Sequence, residues 1–360
     1  MSPSIPKTQT AAIVATSGAP IQVKHDHPVK SQAELAPGEC LIKLDCTGVC
    51  HTDLHAALGD WPVPPKSPLI GGHEGVGVIV AIANHTTGSP VKVGDRVGIK
   101  WLADSCLNCE QCRKGREQNC CNAKLSGYTV DGTFSEYVVG IQVSFVRHVT
   151  PIPENLDSRA AASILCAGVT VYRALKYSQT TAGDWVVLPG AGGGLGHLAV
   201  QYAKDMGLKV IAIDTGAQKK KLCEDLGADV WIDFKESKNI VEDVKKATGG
   251  EGAHSAVVTT ASSSGYSQAI EYLRCGGTLM AVGLPGKANL EASIFFTVFK
   301  SINILGSYVG NRQDAVEAIE IAARGAVKCH YELRKIGDLQ KTYEDMTKGM
   351  ISGRVVLEFS

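Results

Sequence analysis

Several common features are scarce or missing in this sequence, and each absence narrows the partner. Lys plus Arg and Asp plus Glu both number 36, so no net positive field exists to hold nucleic acid or an anionic membrane. No apolar run reaches the roughly 18 to 20 residues that a membrane-spanning helix needs. The stretch from Met1 to Gly18 has no basic end followed by an apolar core and no arginine, which argues against a secretory leader or a mitochondrial presequence. Repeats of about 20 to 50 residues and low-complexity tracts are also missing, which excludes solenoids and disordered arrays. A small neutral partner and a cytoplasmic setting are the expectation.

What is present is ample apolar material, 44% of 360 residues, more than one compact core ordinarily uses. Before Cys166, short runs such as Glu39 to Leu44, Gly75 to Ile82 and Phe134 to Val139 alternate with Gly and Pro turns and predict a β-rich domain with few helices. From Thr180 the texture changes. Runs at Trp185 to Leu188, Val210 to Ile213, Val230 to Ile232, Ala256 to Val258, Leu279 to Val282 and Ile302 to Leu305 recur about every 20 to 25 residues. Helical periodicity fills the gaps, at Leu195 to Met206, Lys219 to Leu226, Asn239 to Ala247 and Tyr266 to Leu273, so an α/β, six-stranded, doubly wound parallel sheet is expected. The tail carries a helix, Asp314 to Ala323, and a last strand, Val355 to Phe359, that should pack back on the first domain. The expected boundaries are 1–166, 167–305 and a returning segment 306–360.

Gly190-Ala191-Gly192-Gly193-Gly194-Leu195-Gly196 lies between the first of those strands and a helix. Such a turn lets backbone N–H groups and a helix N-terminus approach a pyrophosphate. The spacing fits Gly190, Gly193 and Gly196, one residue longer than the usual turn, and Gly192 is expected to add backbone freedom. Asp214 closes the next strand, 18 residues after Gly196, where a carboxylate would accept the adenosine ribose hydroxyls and repel a 2′-phosphate. NAD is therefore favoured over NADP, although Lys219 to Lys221 stand nearby.

Twelve cysteines in a reducing compartment point to metal or catalysis before disulfides. Cys106, Cys109, Cys112 and Cys120 place four thiols within 15 residues, enough for a closed structural zinc site, with Cys121 an alternative fourth ligand. A second set is dispersed: Cys50-His51-Thr52-Asp53, Gly72-His73-Glu74 and Cys166. Taken singly, each member could be an ordinary buried cysteine or a histidine at a turn.

Together these segments, with Leu165-Cys166-Ala167-Gly168, Gly306 to Arg312 and Gly353-Arg354, resemble the zinc-dependent medium-chain alcohol dehydrogenases, closest to the yeast and other fungal ethanol-type enzymes. The resemblance covers nearly the whole chain. It implies a GroES-like catalytic domain beside the Rossmann domain, two zinc ions per chain and a homotetramer. Cys50, His73 and Cys166 would bind the catalytic zinc, Glu74 would stand close as a transient ligand, and Asp53 would hold the free ring N–H of His73. Thr52 would start a proton relay ending at His55, while His51 and Arg354 would contact the pyrophosphate. Gly194, Leu195, Lys219 and Val282 complete the expected NAD contacts. Trp61 and Trp101 resemble the rings that narrow the substrate pocket, with Leu284 where related enzymes carry Met. The implied reaction is reversible hydride transfer between a small primary alcohol and NAD, giving the aldehyde and NADH. A same-fold dehydrogenase for aromatic alcohols or polyols, and a non-catalytic zinc- and nucleotide-binding protein, are the rival readings.

Overall fold

The computed structural model describes residues 5–139, 147–260, 262–285 and 288–359. The chain divides into two compact units. One holds residues 1–166, 310–323 and 331–360, and the other holds 167–309 and 324–330.

The second unit is built on six parallel strands in the order Val230–Asp233, Lys209–Asp214, Trp185–Pro189, Ala253–Val258, Leu273–Ala281 and Asn303–Gly306. The expected doubly wound sheet is present. Strand order reverses between Trp185–Pro189 and Ala253–Val258, which opens a crevice at their carboxyl ends. Val186, Val187 and Leu188 are fully buried, which is why this strand reads as an unbroken apolar run. The helix expected over Lys219 to Leu226 starts earlier, at Ala217, and the strand expected from Leu279 starts at Leu273. That strand passes through Arg274, Cys275, Gly276 and Gly277, so its first half carries no apolar signature.

The first unit centres on a sheet in which Cys40–Val49 pairs antiparallel with Gly75–Ile82 on one side and with Arg354–Glu358 on the other. The C-terminal strand thus lies beside the segment that leads into Cys50. The strand expected over Glu39 to Leu44 runs from Cys40 on to Val49, and only Tyr137–Val139 of the expected Phe134 to Val139 run is strand. Ile42, Leu44, Ile79, Val97 and Ile99 fill one core, and Ala12, Val49, Phe134, Leu339 and Val355 fill another. An eight-residue helix, His51–Leu58, was not expected from periodicity. It forms because Asp53, at its third position, caps the Cys50 N–H at 2.8 Å, and it ends at Gly59 with φ 66°.

Candidate active site and metal centres

The strand Cys40–Val49 delivers Cys50 to the head of the His51–Leu58 helix, and the Gly71-Gly72 turn delivers His73 and Glu74 to the head of Gly75–Ile82. Cys166 arrives on a wide π-type turn, Ile164–Gly168, an irregularity of the kind that gathers at functional sites. All four side chains are buried. Their ligand atoms lie within 4.8 Å of one another, with His73 Nε2 3.2 Å from Cys166 Sγ and the two sulfurs 4.0 Å apart. A tetrahedral zinc with ligands at 2.0 to 2.3 Å needs ligand separations of about 3.5 to 3.8 Å, which these values bracket.

Asp53 Oδ1 lies 2.7 Å from His73 Nδ1 and also accepts the Gly72 N–H at 3.2 Å. That contact fixes the proton on Nδ1 and leaves Nε2 free to ligate. The shared hydrogen between Cys50 and Cys166 drives the Cys50 thiol well below its ordinary value and the Cys166 thiol well above. Glu74 is pushed up to about 7 by burial, against the pull of Arg354. Its Oε1 ion-pairs with Arg354, while its buried Oε2 has no hydrogen-bond partner. Two soft thiols, one imidazole and an unpartnered carboxylate oxygen suit a zinc ion. Arg354, expected as a pyrophosphate contact, is 5% exposed and engaged with Glu74.

Around this cluster, Thr52 is half-buried in the first helical turn and His51 beside it is exposed. His55 stacks on Trp61 with ring centroids 5.3 Å apart, and its Nδ1 lies 2.9 Å from Asp60. The buried Trp101 meets the His73 ring edge-on at 5.1 Å and Trp61 at 6.4 Å. Tyr128, which carries no motif in the sequence, packs against both tryptophans. Leu284, in the second unit, is 60% exposed.

The four-cysteine lobe brings together the sulfurs of Cys106, Cys109, Cys112 and Cys120, with separations of 3.5 to 3.9 Å. Cys121 is exposed beside them and outside the set. Backbone N–H groups of Asn108 and Cys109 drop the Cys106 thiol to about 6, as a thiolate ligand requires. Burial holds Cys112 at about 12, so the four sulfurs divide into charged and protonated members that a dication would deprotonate together. No position is left for substrate. Glu117 inside the lobe accepts the N–H and Nε–H of Arg312 at 3.0 Å, and Asn311 donates to the Gly115 carbonyl at 2.8 Å.

In the second unit, Gly190 follows the Trp185–Pro189 strand with φ 84°, and helix Gly196–Asp205 begins directly behind the loop. A Cβ at Gly196 would lie 2.0 Å from the Gly190 carbonyl, so the turn closes only with glycine there. Asp214 accepts from Gly192 N–H at 3.0 Å, Thr215 N–H at 2.9 Å and Lys219 Nζ at 2.9 Å. Gly192 serves packing more than freedom, since a Cβ there would meet the Lys219 side chain at 2.6 Å. Gly193, Gly194 and Leu195 are half-buried along the loop and Val282 is buried.

Residues 36–154 match the alcohol dehydrogenase GroES-like domain and residues 194–324 the zinc-binding dehydrogenase domain. An alcohol dehydrogenase of Schizosaccharomyces pombe is 48% identical over 358 residues, 99% of each chain. Alcohol dehydrogenase 1 of Emericella nidulans is 47% identical over 99% of each. Among solved structures, the alcohol dehydrogenase of Aeropyrum pernix aligns with a TM-score of 0.85 at 30% identity, over 97% of this chain and 99% of that one. The acetophenone reductase of Geotrichum candidum, solved with NAD, aligns with 0.85 at 29% identity over 99% and 98%.

Proposed function

This chain belongs to the zinc-dependent medium-chain alcohol dehydrogenases, and from that premise we propose that it oxidises small primary alcohols of the ethanol type, reversibly, with NAD. The observation that carries this reading is the convergence of Cys50, His73 and Cys166 behind a tryptophan wall. Cys50, His73 and Cys166 would hold a zinc ion whose Lewis acidity would lower the pKa of the alcohol, with NAD as the hydride acceptor. The rest belongs to the chain's own side chains. Asp53 orients His73 and keeps Nε2 available. Thr52, two residues from the Cys50 ligand, takes the alcohol proton, and His55 with Asp60 carries it toward solvent. Trp101 and Trp61 exclude branched and long alcohols by occupying space. Gly190, Gly193 and Gly196 seat the pyrophosphate, Asp214 takes the ribose hydroxyls, and Lys219 steadies Asp214. His51 and Arg354 are the proposed pyrophosphate contacts, with burial keeping the His51 ring below its ordinary pKa and Arg354 also neutralising Glu74.

The test is ethanol-dependent NADH formation by the zinc-replete protein and by Cys50→Ala and His73→Ala. Loss of activity in the folded variants is expected. Inactivity of the wild type toward ethanol, with turnover of benzyl alcohol or sorbitol, overturns the substrate assignment.

The same reading includes a homotetramer working in the cytoplasm. Ile294, Phe295, Val298 and Phe299 are each more than 60% exposed on one short helix, an apolar face that self-association would cover. Every cysteine is a free thiol, which suits a reducing compartment, and among the described residues no helix is long and apolar enough to cross a membrane. Light scattering and a fluorescent fusion check the two claims.

A further inference from the structure

The wall beside His73 is formed by Trp101 and Trp61, which come from separate segments and need something to hold them in register. Tyr128 is placed to do so. It is 2% exposed, and its ring centroid is 5.6 Å from Trp101 and 5.7 Å from Trp61. Its hydroxyl donates to the Val63 carbonyl, and its own carbonyl accepts the Lys66 N–H at 2.7 Å, so one residue grips both ends of the 63–66 loop that follows Trp61. Burial and the nearby Asp60 raise the phenol above its usual value, which keeps it a donor. Val63 itself is 63% exposed, so the loop has little packing of its own to fix it.

The turn that carries Tyr128 is anchored in its turn. Gly132, Thr133 and Phe134 donate N–H groups to the carbonyls of Ile70, Gly72 and Gly71, the residues that lead into His73. A Cβ at Gly132 would lie 1.9 Å from the Gly72 carbonyl, so backbone rests directly on backbone there. Lys66 adds an ion pair to Asp131 at 2.8 Å, and Asp131 accepts the Ile70 N–H at 3.1 Å. Movement of Trp61 relative to His73 therefore has to break contacts that converge on residues 126–134.

We infer that Tyr128 is a positioning residue for substrate size, holding Trp61 and Trp101 at a fixed distance from His73 through its ring and through its hydroxyl bond to Val63. The inference rests on the small-alcohol reading above. Its test compares wild type with Tyr128→Phe, which keeps the ring, and Tyr128→Ala, which removes it. Zinc content and circular dichroism verify folding.

The kcat/KM ratio of 3-methylbutan-1-ol to ethanol should rise roughly tenfold in Tyr128→Ala, chiefly through KM, and by less in Tyr128→Phe. In a Trp185→Phe/Trp231→Phe background, where Trp61 and Trp101 are the remaining indoles, acrylamide quenching should rise in the same order. A uniform loss of kcat with no change in the ratio overturns the inference, as does unchanged quenching in both variants. Quenching needs no substrate, so a wild type inactive on ethanol ends the small-alcohol reading while the indole measurement still decides the role of Tyr128.

Discussion

Asp53 Oδ1 lies 2.7 Å from His73 Nδ1, and Asp53 Oδ2 accepts the Cys50 N–H at 2.8 Å. One carboxylate thus ties together two segments, each carrying a zinc ligand, while capping the helix that holds Thr52 and His55. Asp53→Asn keeps the shape but leaves one contact as an amide N–H where an acceptor is needed. Zinc affinity at the catalytic site should fall about 10- to 100-fold. Competition with a chelator, followed as zinc per chain, checks it. Retention equal to wild type would remove Asp53 from the site's support.

Cys112→Ser breaks the closed four-thiol set and should lower zinc content from two ions per chain to one. The lobe is fastened to the helix Arg312–Ala323 through Glu117–Arg312 and Asn311–Gly115, so its loss reaches beyond its own loop. The melting midpoint should drop by about 10 °C. A midpoint that holds while the zinc is lost would show the lobe to be dispensable for stability.

Lys100 gives a pH signature. Buried to 3% exposure, it donates to the His148 carbonyl, and burial lowers its pKa from 10.5 to about 7. Below pH 7 the amine is protonated in both folded and unfolded chains, and the burial penalty is constant. Between about 7 and 10.5 the unfolded chain keeps a proton that the folded chain has released, so stability rises with pH. The slope is at most about 1.4 kcal/mol per pH unit. Lys100→Met removes this rise, and urea titrations at pH 7.5, 8.5 and 9.5 should show wild type gaining on the variant. Parallel curves would mean that the amine stays charged.

The parallel sheet was legible because strands buried on both faces read as unbroken runs, as in Val186-Val187-Leu188, and because the four lobe cysteines sit close in sequence. Contacts made only by the fold left no such trace. The Glu74–Arg354 pair joins residues 280 apart, and Tyr128 stands alone between turn residues. The helix His51–Leu58 is too short for periodicity, and its signal is the cap from Asp53, a residue expected only to hold His73. Leu273–Ala281 hides its start behind Arg274 and two glycines.

Asp214 is the proposed determinant of coenzyme choice. Its carboxylate is 5% exposed and already held by the Gly192 and Thr215 N–H groups and by Lys219, so it is fixed in direction before any ribose arrives. A preset acceptor at low exposure favours two ribose hydroxyls and opposes a 2′-phosphate. Asp214→Ser removes the charge and leaves Lys219 without its partner, free to meet a phosphate. The kcat/KM for NAD should fall about 10- to 100-fold, since a charged hydrogen bond contributes about 1.5 to 3 kcal/mol. The NADP-to-NAD ratio should rise by at least as much. Steady-state kinetics with both coenzymes at fixed ethanol measures it, and an unchanged KM for NAD in the folded variant would place the ribose elsewhere on the unit.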